Sequence, residues 1–117
     1  MRGMLKENSL KDKVILVTGG GSGLGKSMVE YFLELGANVI ITSRREELLN
    51  DVAKEFNSKY KSEVFPIACD VRKIEQVEKV IIDSFEKFGK IDCLLNNAAG
   101  NFISPTERLS TRAFDAV

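Results

Sequence analysis

No histidine occurs among the 117 residues. That absence removes Ser-His-Asp and Cys-His chemistry from anything this chain carries alone. Cysteine is almost as scarce: Cys69 and Cys93 stand far apart with no CxxC spacing. A disulfide framework and a zinc site are both unexpected on that count, and no metal centre is predicted. Each cysteine lies in or beside an apolar run, as a small buried side chain would. Net charge is missing too, since 17 basic residues balance 17 acidic ones. Nucleic acid and anionic membranes, which demand a basic surface, are therefore not expected as main partners. No apolar run approaches membrane-spanning length. The opening "MRGMLKENSLKDK" lacks the apolar core of a signal peptide, and its acidic residues do not suit a transit peptide. These absences predict a cytoplasmic protein. Repeats, low-complexity stretches and linkers are lacking as well.

What is present alternates. "KVILVT" (13–18) is a short β-branched run closed by glycines, and Leu24, Met28, Phe32 and Leu35 then fall on one helical face that stops at Gly36. "NVIITS" (38–43) reads as a second strand, and Leu48, Val52 and Phe56 as another helical stripe. "EVFPIAC" (63–69) precedes a third helix carrying Ile74, Val77, Ile81, Phe85 and Phe88, stopped by Gly89; "IDCLL" (91–95) is a fourth strand. Near-continuous apolar strands separated by helices are the mark of a parallel sheet covered on both faces. The expected fold class is α/β, a Rossmann-type doubly wound sheet. Residues 1–12 read as a polar N-terminal segment and 13–117 as the N-terminal part of a single Rossmann-type domain. The third strand should lie at an edge, beyond the second and first. Pro66 agrees, because proline lacks the amide a central strand needs. The chain ends inside "STRAFDAV", where Ser110 would cap a new helix. An apolar fourth strand would then have a bare edge, so the sequence predicts the front half of a longer protein.

The loop "TGGGSGLGKS" (18–27) joins the first strand to the first helix. Its glycines let backbone amides approach a phosphate, with the helix N-terminus supplying positive potential. Gly20-x-x-x-x-Gly25-Lys26-Ser27 satisfies the Walker A pattern of nucleotidases, with Asp70 as a tolerable magnesium ligand. Thr18-Gly19-x-x-x-Gly23-x-Gly25 fits a dinucleotide loop instead. The second strand favours the latter, because "TSRR" puts Arg44 and Arg45 where a 2′-phosphate would lie. Asp70 could equally cap the third helix. After the fourth strand, "NNAAGNFISP" (96–105) places amides beside almost bare backbone. Ala98, Ala99 and Gly100 leave room for a ribose or nicotinamide, while Asn96 and Asn97 can hold the wall. Ser104-Pro105-x-Glu107 reads as a capping box that starts a helical turn.

"TGGGSGLG", "CDV" and "NNAAG" together resemble the short-chain dehydrogenase/reductase family, across positions 13 to 117. An extra alanine precedes the glycine of the family's usual NNAG. The longer "NNAAGNFISPTERLS" is similar to the 2,4-dienoyl-CoA reductases, which reduce conjugated acyl-CoA thioesters with NADPH. The resemblance implies NADP(H) as cofactor. Gly19, Gly21, Ser22, Gly23, Leu24 and Gly25 would then hold the pyrophosphate, and Arg44 would meet the 2′-phosphate. Asp70 and Val71 would cradle adenine, and Asn97 and Ala98 would line the cofactor. It also implies that Arg72, Phe102 and Ser110 border the acyl-CoA and that Asn101 donates to the thioester oxygen. The family's catalytic tyrosine and lysine come later than position 117, and neither Tyr31 nor Tyr60 is placed to serve. This chain alone should therefore be inactive, and its full-length parent a homo-oligomer, commonly a tetramer. The alternatives are a short-chain reductase of other specificity, such as a 3-oxoacyl reductase, a non-catalytic nucleotide-binding module, or a P-loop nucleotidase.

Overall fold

The computed structural model describes residues 9–19, 23–70, 72–96 and 102–105, with backbone alone for 23–24 and 102–105. The elements run β1 (Val14–Thr18), α1 (Gly23–Glu34), β2 (Asn38–Ser43), α2 (Glu46–Lys59), β3 (Val64–Ala68), α3 (Ile74–Phe88), β4 (Cys93–Asn96) and β5 (Phe102–Pro105). The sheet order is β3-β2-β1-β4-β5. The first four strands are parallel, and β5 lies antiparallel on β4. The doubly wound arrangement is thus present, with β3 outermost on its side as Pro66 predicts.

β1 is buried along its whole length because both sheet faces are covered. Ile15, Val17, Val39, Ile41 and Val64 face α1 and α2, meeting Val29, Phe32, Leu33, Leu49, Val52 and Phe56. Val14, Leu16 and Ile40 face the other way, toward Val80 on α3 and the half-buried Val77, Ile81 and Phe88. Alternation along each strand therefore feeds two cores, and a continuous apolar run satisfies both.

Helix faces agree with the predicted stripes at the buried Phe32, Leu35, Val52 and Phe56 and depart from them at neighbouring positions. On α1 the buried residues include Val29 and Leu33 rather than Met28, which is half-buried. On α2, Leu49 is buried while Leu48 is half-buried. On α3, Val80 and Ser84 point inward, and Ile74 and Phe85 are exposed at 37% and 44%. Adjacent apolar residues such as Leu48 and Leu49 allow two phases of a 3.6-residue period, and the sheet's twist selects between them. The buried Ser84 hydroxyl is satisfied by donating to the Val80 carbonyl at 2.6 Å. Both predicted stops hold. Gly36 and Gly89 adopt positive φ of 96° and 79°, where a Cβ would be strained.

Two expectations at the far edge need correction. β4 is not bare, since Cys93–Asn96 pairs with Phe102–Pro105. The proposed helical turn also fails, because Ser104 and Pro105 belong to β5. Strand pairing satisfies the backbone of 102–105 better than a single helical turn could. Pro105 sits at the end of its strand, a position that tolerates the missing amide.

The opposite edge is built differently. Val39 N–H donates to the Glu63 carbonyl and Cys69 N–H to the Ser43 carbonyl. The backbone N–H and C=O of odd-numbered β3 residues thus point toward β2, and those of even-numbered ones point outward. The Val64 backbone groups point outward while its side chain stays in the core, and Asn57 from α2 engages both of those groups. The Asn57 amide donates to the Val64 carbonyl at 3.0 Å and accepts from the Val64 N–H at 2.8 Å. Pro66, next on that side, has no N–H to satisfy.

Candidate functional site

The first three strands end at one rim, where a cavity of about 260 Å³ is lined by Thr18, Gly19, Thr42, Ser43, Arg44, Cys69, Asp70 and Arg72. It lies at the carboxyl ends of the strands, beside the reversal of strand order at β1, as ligand sites of doubly wound sheets do. Gly19 leaves β1 with φ 70°, and its N–H donates to the Thr42 carbonyl at 2.7 Å. A side chain at 19 would oppose that turn. Across the reversal, Thr18 and Asn96 are register partners, and the Thr18 hydroxyl donates to Asn96 Oδ1 at 2.8 Å. Asn96 therefore holds this wall, as the amide-rich stretch suggested.

The start of α1 carries no acidic residue in its first turn, which leaves its positive end available to an anion. Lys26 is turned away from that role. Its ammonium is 3.1 Å from Glu55 and 5.7 Å from the centre of the Phe56 ring, both on α2. A Walker lysine must reach over the phosphates, so this geometry speaks against the nucleotidase alternative.

Asp70 is the most strongly organised group in the cavity. Its Oδ1 accepts from the Arg72 backbone N–H and from Nε, both at 3.0 Å, and its Oδ2 accepts from Arg72 Nη2 at 2.9 Å. The Arg72 side chain, then its backbone N–H, hold the Asp70 carboxyl down at a pKa of about 2, with Arg44 adding a smaller pull. Asp70 does not cap α3, whose N-cap is Lys73. Its carbonyl instead accepts from Lys73 N–H at 3.0 Å, closing a tight turn. Arg44, which also lines the cavity, is exposed and forms no ion pair among the described residues. Two guanidiniums against one carboxylate leave the cavity wall one positive charge.

Neither cysteine is a prepared nucleophile. Burial pushes both thiols up from their ordinary pKa. Thr42, which also lines the cavity, has its Oγ1 buried without a partner in hydrogen-bond geometry among the described residues. The adjacent Cys69 thiol is close enough to be influenced by it.

Of the predicted site residues, the structure brings Gly19, Arg44, Asp70 and Arg72 to one cavity. Gly23, Leu24 and the buried Gly25 begin α1. Gly21, Ser22, Val71, Asn97, Ala98, Asn101 and Ser110 lie outside the described residues, and Phe102 is described only as the first residue of β5. The reading of the sequence missed Thr42, Ser43 and Cys69 as lining residues. The period-2 alternation of β2 puts Thr42 in the sheet, and its nearness to the strand end was the available signal.

The chain matches the short chain dehydrogenase family over residues 13–117. It belongs to that family. A peroxisomal 2,4-dienoyl-CoA reductase of Danio rerio is 40% identical over 108 residues, covering 92% of this chain and 36% of that protein. A probable 2,4-dienoyl-CoA reductase of Bacillus subtilis is 38% identical, covering 92% of this chain and 42% of that one. Among solved structures, L-sorbose reductase from Gluconobacter frateurii, complexed with NADPH and L-sorbose, superposes with a TM-score of 0.76 at 31% identity. That match covers 80% of this chain and 36% of the other. The chain thus spans well under half the length of the relatives it matches. Among the described residues no helix is long and apolar enough to cross a membrane, and no cluster could hold a metal ion.

Proposed function

We propose that the parent protein is an NADPH-dependent reductase of 2,4-dienoyl-CoA thioesters and that this chain carries its cofactor-binding portion. The observation that carries the reading is the cavity at the strand ends, walled by Arg44 and Asp70. It occurs in a chain whose curated relatives are named for that activity. The residues suit the cofactor. Gly19, Gly21, Ser22, Gly23, Leu24 and Gly25 hold the pyrophosphate at the start of α1, where amide donors and the helix dipole converge. Arg44 takes the 2′-phosphate by charge-assisted hydrogen bonds. Asp70 and Val71 border adenine. The Asp70 carboxylate still has acceptor capacity on Oδ2, which takes one bond against two on Oδ1. Asn97 and Ala98 back the ribose and nicotinamide.

When bound, reduced nicotinamide would supply a hydride to the acyl chain, and the thioester oxygen would take up the resulting negative charge. Asn101 donates to that oxygen, since a neutral amide is a donor at every pH. Phe102 and Ser110 line the acyl group and Arg72 the CoA side. The remaining proton chemistry belongs to a tyrosine and a lysine beyond this chain. A homo-oligomer in the cytoplasm is the accompanying proposal, and fluorescent tagging would separate that location from the peroxisome named for the Danio relative. The test follows NADPH oxidation by the full-length protein with a dienoyl-CoA and with a 3-oxoacyl-CoA. Turnover of the dienoyl substrate is expected. Turnover of the 3-oxoacyl substrate alone would transfer the protein to a sibling specificity.

A further inference from the structure

The cavity wall made by Asp70 and Arg72 stands on a turn that does not belong to the sheet. β3 ends at Ala68, and the last residue tied to β2 is Cys69, through its N–H to the Ser43 carbonyl at 2.8 Å. Beyond that point Asp70 is bonded to both Arg72 and Lys73. Asp70 carbonyl takes the Lys73 N–H, and Asp70 carboxylate takes three donors from Arg72. The position of the Asp70 end of this turn therefore depends on what fixes it beyond the sheet. At its far end the turn runs into α3, where the Lys73 carbonyl accepts from the Gln76 and Val77 N–H groups at 3.0 and 3.2 Å, although Lys73 adds no side-chain cap.

Among the described residues one side chain of α3 reaches back to Asp70 itself. Gln76 Oε1 accepts the Asp70 N–H at 2.8 Å, in a part-buried position. Gln76 is the third residue of α3, the place from which a Glu or Gln side chain reaches back to an amide before the helix. The bond satisfies a backbone donor that would otherwise be stranded. It also joins the Asp70 turn to a helix seated on the sheet through Val77 and Val80.

We propose that Gln76 is a positioning residue for cofactor binding, acting through the Asp70 backbone to hold the adenine wall in place. The inference rests on the dinucleotide reading above. A glutamine suits the task because it supplies the acceptor without a second carboxylate beside Asp70 and the phosphate. Its effect differs in kind from that of Arg44: loosening the adenine wall weakens NADPH and NADH alike, whereas loss of Arg44 touches only the cofactor with a 2′-phosphate.

The experiment uses the full-length protein and measures the Kd of NADPH and NADH for wild type, Gln76→Met, Gln76→Glu and Val80→Ala. Methionine keeps the length and removes the acceptor. Gln76→Met is expected to weaken both dinucleotides about five- to tenfold, the scale of one hydrogen bond, with kcat at saturating cofactor unchanged. Hydrogen exchange of the peptide containing Asp70 should accelerate in that variant. Gln76→Glu keeps the acceptor and should restore NADH affinity, with any residual loss confined to NADPH. Val80→Ala, in the core beneath the same helix, should lower Tm and leave both affinities in place. Wild-type affinity in Gln76→Met would overturn the proposal. So would equal loss in Val80→Ala, which would reduce the effect to a weakened helix. Failure of the wild type itself to bind either dinucleotide would instead strike down the cofactor reading, and the proposal with it.

Discussion

Replacing Arg44 by alanine tests the cofactor assignment most directly. The side chain is exposed on the cavity wall and forms no ion pair among the described residues. The other guanidinium, Arg72, is already bound to Asp70 through two nitrogens at 3.0 and 2.9 Å. Removing Arg44 therefore takes the local charge of the wall from one positive to none, and takes away the cation least committed elsewhere. A unit pair 4 Å apart is worth about 1 kcal/mol in bulk water and about 4 kcal/mol near a protein surface. Solvent access at Arg44 favours the lower part of that range, so the loss should be roughly 1–2.5 kcal/mol, or about 5- to 70-fold in the Kd of NADPH. NADH lacks the 2′-phosphate and should change less than about twofold, because no charge-assisted bond is lost. Salt gives an independent check. The wild-type preference for NADPH should shrink between 0.1 M and 1 M ionic strength, as the Debye length falls from about 10 Å to about 3 Å. Fluorescence titration of both dinucleotides across that range is the assay. Equal losses for the two cofactors, or a preference indifferent to salt, would refute the assignment of Arg44.

Asn101→Ala in the full-length protein should lower turnover of a dienoyl-CoA by about 10²–10³-fold, the usual cost of one oxyanion donor. NADPH affinity should stay the same, and full activity would reduce Asn101 to a loop-holding residue. Lys26→Met should leave dinucleotide binding intact and cost at most about 1 kcal/mol in denaturant unfolding, since its pairing with Glu55 is half-exposed. Magnesium-dependent ATP binding abolished by that change would restore the nucleotidase reading. The Asp70 carboxyl, followed by carbon NMR, should titrate near 2 rather than near its ordinary 3.8. Because its pKa is depressed by folding, its contribution to stability is present above 3.8 and is lost as pH falls through about 2. A midpoint at 3.8 would mean that the Arg72 bridge does not persist in solution.

The strand pattern was readable in advance because β-branched runs such as "VILVT" and "NVIITS" are short and bounded by turn signals. Pro66 placed its strand at the edge for a reason local to one residue. Helix phase was less legible, because neighbouring apolar pairs such as Met28-Val29 and Leu48-Leu49 fit either of two faces. Only packing against a twisted sheet separates them. β5 was missed for a different reason. "SP" followed by an acid is a local helix-start signal, and the pairing of Ser104 with Leu94 that overrides it is ten residues distant in sequence. At the site, Arg44 and Asp70 stood out by charge at strand ends. The bidentate lock between Asp70 and Arg72 depends on a turn conformation, and residue identity alone does not reveal it.

The outer side of β3 carries a further meaning for how this protein meets copies of itself. A free strand edge is a template, and a second chain can register on it if several donors and acceptors stand in a row. Here the row is interrupted at successive outward positions. Val64 is occupied at both groups by the Asn57 amide, and Pro66 offers no donor. What remains toward Ala68 is too short to seed a paired strand. Crowding at high concentration should therefore not lengthen the sheet on this side, and self-association there must use side chains instead of backbone. The safeguard is cheap in sequence terms but narrow: Asn57→Leu together with Pro66→Val would re-expose three consecutive outward positions and convert a closed border into an adhesive one.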